Sequence, residues 1–148
     1  MTQRPTDIDV LNHVTRTLID SLKGYELASD MVEGHEALQN SLRARAADRK
    51  SLIGRFQDEV RRQGGEPETS SGLLGRVHRT YVKIASLFDD DVHAALSAVD
   101  DGEIFLLDDI EDRMKLDHLS AETRNLLNLA MDSAIDGDAF AGRLSMAC

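Results

Sequence analysis

Tryptophan is absent from this 148-residue chain, aromatic residues make up 4%, and there are only two prolines and one cysteine. Each scarcity excludes something. Sheets favour aromatic and β-branched side chains, whereas this chain draws heavily on Leu, Ala, Asp and Arg, so composition favours helix. The single cysteine, Cys148, permits no internal disulfide and has no Cys or His neighbours in a zinc pattern, so it reads as an incidental thiol. Apolar runs such as Ile104 to Leu107 fall far short of the roughly 20 residues that span a bilayer. Met1 to Val10 is polar and acidic rather than basic and then apolar, so no secretory signal is expected and the cytoplasm is the expected location.

Basic charge is also scarce in the second part of the chain. Residues 1–88 carry 13 Lys/Arg against 12 Asp/Glu, residues 89–148 carry 4 against 15, and the net charge is −10. Such a surface repels nucleic acid and anionic lipid and favours cations or basic protein patches, although acidity can serve solubility alone.

What is present is helical periodicity. Thr6 followed by Asp9 has the form of a capping box and opens a helix to about Val32, with Leu11, Leu18, Leu22 and Tyr25 on its inner face. Gly34 makes a turn. A second helix, from about His35 to Gln63, places Leu42, Arg45, Arg49, Leu52, Phe56 and Val60 on one side. Gly64-Gly65-Glu66-Pro67 ends it. Leu73, Leu74, Val77, Tyr81, Ile84, Leu87 and Phe88 predict a shorter crossover helix, and Asp89-Asp90-Asp91 an acidic start for the next long one, ending near Leu116. Ser120 caps the last helix, whose inner face includes Leu126, Ala130, Ser133, Gly137 and Ala141. The expected fold is all-α, one domain over residues 1–148: a four-helix bundle with a short additional crossover helix and two antiparallel hairpins.

One residue breaks the pattern. Val92, Leu96, Val99, Glu103, Leu106, Ile110 and Met114 fall on one helical face, and Glu103 is the only charge among them. A carboxylate there must be paired, protonated or bound to metal, because burying it alone costs several kcal/mol or more. Arg45 and Arg49 interrupt the facing stripe of the second helix. Arginine's fork of donors suits a buried carboxylate, and small Ala130, Ser133 and Gly137 leave it room. A buried polar network of Glu103, Arg45 and Arg49 is therefore expected.

Leu11-Asn12 and Tyr25 resemble the opening helix of bacterioferritin-type proteins of the ferritin-like superfamily, and Leu11-Asn12 with Gly24-Tyr25, the Gly64-Gly65-Glu66-Pro67 break, Gly72 to Leu87 with His78-Arg79, and Gly102-Glu103 resemble, in order and spacing, one family within it. The closer resemblance is to a bacterial family of unknown function described as four-helix-bundle proteins. It implies a ferritin-like four-helix bundle over nearly the whole chain. Iron-handling members use six ligands, a Glu on each of two helices and Glu-x-x-His on the other two. Matched position by position, the first-helix ligand falls on Leu18 and the second-helix pair on Arg49 and Leu52, or on Asp48 and Ser51. The third-helix ligand falls on Glu103, and the last-helix ligands on Ala130, Ser133 and Gly137. Glu103 alone clearly matches. Three residues before His13, His35, His78, His93 and His118 stand Val10, Val32, Gly75, Asp90 and Lys115, so no Glu-x-x-His exists.

The first expectation is thus a non-enzymatic bundle without the di-iron ligand set and without a cofactor. It would act by self-association or through a protein partner, with a stress-response association implied by analogy only. The alternative is an iron or manganese protein, or an oxidase, in which Glu103 joins Asp48, Glu26 or Asp138 through a shift of register. A third reading is an adaptor whose acidic half docks a basic partner helix. Asp90 with His93 reads as a capping charge and a surface pair. Asp108, Asp109, Glu111 and Asp112 lack the spacing of a calcium loop and read as a solvated face. Tyr25 and Tyr81 read as core tyrosines with bonded hydroxyls rather than redox centres.

Overall fold

The computed structural model describes residues 5–70 and 90–147, with side chains to residue 144. The crossover helix expected over residues 73–88 lies outside the described residues. Four helices form within them: α1 (Asp7–Met31), α2 (Glu36–Arg62), α3 (Asp91–Met114) and α4 (Ala121–Ala147). There are no strands among the described residues. No helix among them is long and apolar enough to cross a membrane.

The boundaries follow local chemistry. At α1 the Thr6 hydroxyl accepts from Asp9 N (3.1 Å) while the Asp9 carboxylate accepts from Thr6 N (3.0 Å), completing the capping box. Gly34 and Gly64 take positive φ (97° and 87°) just past the ends of α1 and α2, where a Cβ would be strained. Asp90 caps α3 by accepting from Val92 N at 2.9 Å, and Ser120 Oγ accepts from Thr123 N at 3.2 Å at the start of α4. Arg124 closes the other end of α3, donating to the carbonyls of Met114 and Leu116.

Cross-helix pairs set the topology. Thr17 meets Asp109 and Tyr25 meets Glu103, so α1 and α3 run antiparallel. Gln63 meets Thr123 and Arg49 meets Ser133, so α2 and α4 do as well. With α1–α2 and α3–α4 as hairpins, α2 and α3 are parallel, the order up, down, down, up. Two parallel neighbours in sequence require a long connection between them. Its first part, residues 64–70, is pinned to the bundle. The Asn12 amide donates to Glu66 O (2.9 Å) and its oxygen accepts from Glu68 N (2.9 Å), while Gln57 donates to Glu68 O (2.8 Å).

The apolar core comes in two parts. One, toward the α1 N-terminus, is built from large side chains including Leu11, Leu18, Phe56, Leu106, Ile110 and Leu127. The other surrounds Tyr25 and Leu42 and is rich in alanine, with Ala28, Ala95, Ala98 and Ala141. At about 1.5–3 kcal/mol per fully buried large side chain, the first part supplies most of the apolar stabilisation among the described residues. Between the two lies a polar layer.

The N-termini of α1 and α4 meet at one end, and Asp7 ties them together. Its carboxylate accepts from Ser120 N at 3.0 Å and from the Thr123 hydroxyl at 2.7 Å, facing the positive ends of both helices. Burial opposes its charge, but these hydrogen bonds outweigh that and hold its pKa below the usual carboxylate value. A lowered folded-state pKa contributes stability at neutral pH that is lost as pH falls through the acid range. Asp7→Ala is expected to cost about 1–3 kcal/mol in urea denaturation at pH 7, with the deficit shrinking below pH 4. A deficit unchanged down to pH 2 would show that the carboxylate charge is not the stabilising element.

Candidate functional site: a buried ion-pair network

The polar layer centres on Glu103, whose side chain is 1% exposed and which faces an Arg49 side chain equally buried. Their contact is bidentate. Arg49 Nη1 donates to Glu103 Oε1 at 2.7 Å and Nη2 donates to Oε2 at 2.6 Å. This fork-to-fork geometry is the strongest pairing available to a buried carboxylate.

Most of the remaining donors and acceptors meet neighbours from other helices. Tyr25 Oη donates to Glu103 Oε2 at 2.9 Å and accepts from Arg45 Nε at 3.0 Å. Arg49 Nη1 also donates to Ser21 Oγ (2.6 Å), and Ser21 in turn donates to Leu18 O (2.7 Å). From α4, Ser133 Oγ accepts from Arg49 Nη2 at 3.1 Å and the Ser133 carbonyl accepts from Arg45 Nη2 at 3.3 Å. Arg49 Nε has no partner among the described residues. The Arg45 guanidinium lies between two aromatic rings, 5.7 Å from the Tyr25 centroid and 5.2 Å from that of Phe140, a favourable cation–π position. All four helices thus contribute to one layer.

Backbone choice makes room for it. A Cβ on Gly137 would overlap the Glu103 carboxylate and come within 2.6 Å of the Tyr25 hydroxyl, so α4 can approach α3 here only with glycine. Protonation states follow from the contacts. Burial opposes the charge of Arg49, but the hydrogen bond and charge of Glu103 prevail and raise its pKa, so the guanidinium stays charged. Burial, then the neighbouring Glu103 charge, pushes the Tyr25 phenol well above its ordinary value, keeping it a neutral donor. Both oxygens of Glu103 are engaged, Oε1 by Arg49 and Oε2 by Arg49 and Tyr25. Chemically the arrangement can fix helix register and rotation.

The structure brings Glu103, Arg49 and Arg45 together. It does not gather the other carboxylates considered as metal partners. Asp48 and Glu26 are exposed, because each lies on the outward side of its helix, and Glu26 faces Lys23 at 3.6 Å. Asp138, on α4, is hydrogen-bonded to Asp100. No group of three or more His, Cys, Asp or Glu side chains among the described residues could hold a metal ion. Leu18, at the first ligand position of the resemblance, is fully buried in the apolar core. Asp90 and His93 form a pair at 2.8 Å at the start of α3.

Sequence reasoning missed three members. Tyr25 was expected in the core with a bonded hydroxyl, yet its partner is Glu103 itself. Ser21 is one turn before Tyr25 on the same face, and that i, i+4 spacing was the available signal. Ser133 was read as space, and it also accepts hydrogen bonds. One reading is corrected. Asp109 is not part of a solvated face: its side chain is only 11% exposed, accepts from the Thr17 hydroxyl at 2.8 Å and lies 2.8 Å from His13 Nε2. Its place three residues beyond buried Leu106 turns it toward α1.

The fold and site define a four-helix bundle with one long crossover, its centre closed by an arginine–glutamate pair. A family model described as a domain of unknown function, DUF2383, matches residues 6–116. The chain belongs to that family. The match covers Tyr25, Arg45, Arg49 and Glu103 but stops before α4, which supplies Ser133 and Gly137. No curated protein and no solved structure matches the chain.

Two outcomes test the electrostatics. Removing one member of a buried pair strands the other, at about 3–5 kcal/mol, whereas removing both avoids that penalty. Glu103→Gln and Arg49→Met are therefore expected to destabilise strongly as single changes and much less than additively when combined; additive losses in urea midpoints would show the pair to be uncoupled.

The second concerns Asp100, whose Oδ1 has no partner among the described residues. Burial, hydrogen bonding to Asp138, and the charges of Asp138, Asp101 and Glu103 raise its pKa to about 6. A raised folded-state pKa contributes stability that is full below the ordinary value near 3.8 and is lost as pH rises through about 6. Asp100→Asn is expected to stabilise the protein by on the order of 1 kcal/mol at pH 7, after allowance for solvent screening, and by little at pH 4. A variant no more stable than the parent at pH 7 would argue against a shared proton.

Proposed function

We propose that this chain is a ferritin-like bundle in which an arginine–glutamate network has replaced the di-iron ligand set, a non-enzymatic bacterial cytoplasmic protein that acts by association. One observation carries the reading: Arg49 fills the volume beside Glu103 and engages both carboxylate oxygens, at 2.7 and 2.6 Å. A carboxylate held this way already has its charge balanced by a guanidinium and both oxygens engaged by hydrogen-bond donors, which disfavours a metal ion there. The up, down, down, up order also supports it, since ferritin-like folds are four-helix bundles with a single long crossover.

Association is favoured by the surface of the α3–α4 hairpin. Ile104 and Ile135 are 43% and 47% exposed there, and Leu129 is exposed as well. Asp101, Asp108, Asp132 and Asp136 are exposed on the same two helices. An apolar surface ringed by acids suits a second copy presenting its more basic α1–α2 side, or another protein with a basic, apolar helix.

Metal analysis of untagged protein is the direct test. The expectation is far less than one iron or manganese per chain, and no carboxylate-bridged iron absorbance after ferrous iron is added in air. Near-stoichiometric metal with that absorbance would overturn the proposal in favour of a divergent metal centre.

A further inference from the structure

Outside the network, a cavity of about 460 Å³ opens between the first half of α1, the 64–70 segment and the last turns of α3. Asn12, His13, Arg16, Glu68, Asp112 and Arg113 line it. At its wall one imidazole nitrogen has two competing partners. His13 Nε2 lies 2.8 Å from Asp109 Oδ1 and 2.7 Å from Arg113 Nη2. Arg113 Nη2 is itself 3.5 Å from that Asp109 oxygen.

A ring nitrogen carries either a lone pair or a hydrogen, never both. With a lone pair on Nε2, His13 accepts from Arg113, and Asp109 relies on Thr17 and on the guanidinium. With a hydrogen there, His13 donates to Asp109 and presents a donor to the Arg113 guanidinium. Full protonation of the ring adds charge repulsion to that mismatch. Histidine is the side chain whose charge ordinarily changes between about pH 5 and 8.

We propose that His13 is a proton-operated latch joining α1 to α3: neutral, it holds Arg113 against Asp109; protonated, it takes Asp109 for itself and releases Arg113 into the cleft. The charged groups facing it are Asp9 and Arg16 on its own helix, Asp109, Asp112 and Arg113 on α3, and Glu68 from the connection, among the described residues. Asp109 is the fixed element, since it is the most buried of the three and is anchored by Thr17. Arg113 is the movable one, with 28% of its side chain exposed. Acidification would thus leave the cleft with a free guanidinium beside Arg16 and one more positive charge.

Nitrogen-15 NMR of the histidine and arginine side chains in the full-length protein tests this. At pH 8 His13 is expected as the tautomer with Nε2 unprotonated, and the Arg113 side-chain signals should sharpen toward those of a mobile arginine as His13 titrates. Arg113→Met should raise the His13 midpoint and Asp109→Asn should lower it, each by about half a pH unit or more, as expected when a neighbouring charge is removed. The Arg113 variant stands alone if Asp109→Asn disturbs folding. An Nε2-protonated tautomer at pH 8, or a midpoint within about 0.2 units of the parent in Arg113→Met, would overturn the latch.

Discussion

The structure depends on one charge pair that cannot be left half made. Arg49 on α2 and Glu103 on α3 are both 1% exposed, and each is tolerable inside the protein only because the other is there. Their meeting fixes the rotation of α2 about its axis and the height of α3 relative to α2. Tyr25 then fixes α1 to the same carboxylate, and Ser133 fixes α4 to the same guanidinium. Apolar packing alone tolerates small slips between helices, whereas a bidentate contact does not. The network specifies the arrangement and the large apolar cluster stabilises it.

Much of this was legible in the sequence because helices announce their inner faces. Leu42, Phe56 and Val60 on α2, and Val92, Leu96, Leu106 and Ile110 on α3, are all buried where the four-and-three spacing placed them. Helix ends were readable from Thr6, Gly34, Gly64 and Ser120, each of which acts through its own backbone or its nearest neighbours. Glu103 stood out for the same reason, as a lone exception to a local pattern. What the sequence conveyed poorly was anything that depends on how one helix is turned against another. Ser21 and Asp109 lie at the edges of their inner stripes, where a small change of rotation decides between solvent and a partner. The carboxylates of Glu26 and Asp48 lie on the outward side, so no modest shift of register carries them to Glu103.

The layer also divides the protein into unequal halves. The half rich in leucine, isoleucine and phenylalanine is further secured by Asp7 and by the pinned 64–70 segment. Among the described residues the other half sets four alanines, which let the backbones come close but bury little area each, beside Tyr25, Leu42 and Leu96.

Gly137 carries a consequence for how this protein can vary. Its missing side chain and the Glu103 carboxylate occupy complementary space across the α3–α4 contact. Any relative with a larger residue at the position of Gly137 must have shortened or displaced the side chain at the position of Glu103, and with it lost the need for Arg49. Three positions on three different helices are thus expected to change as a set among related sequences, a linkage visible in an alignment without any measurement on the protein itself.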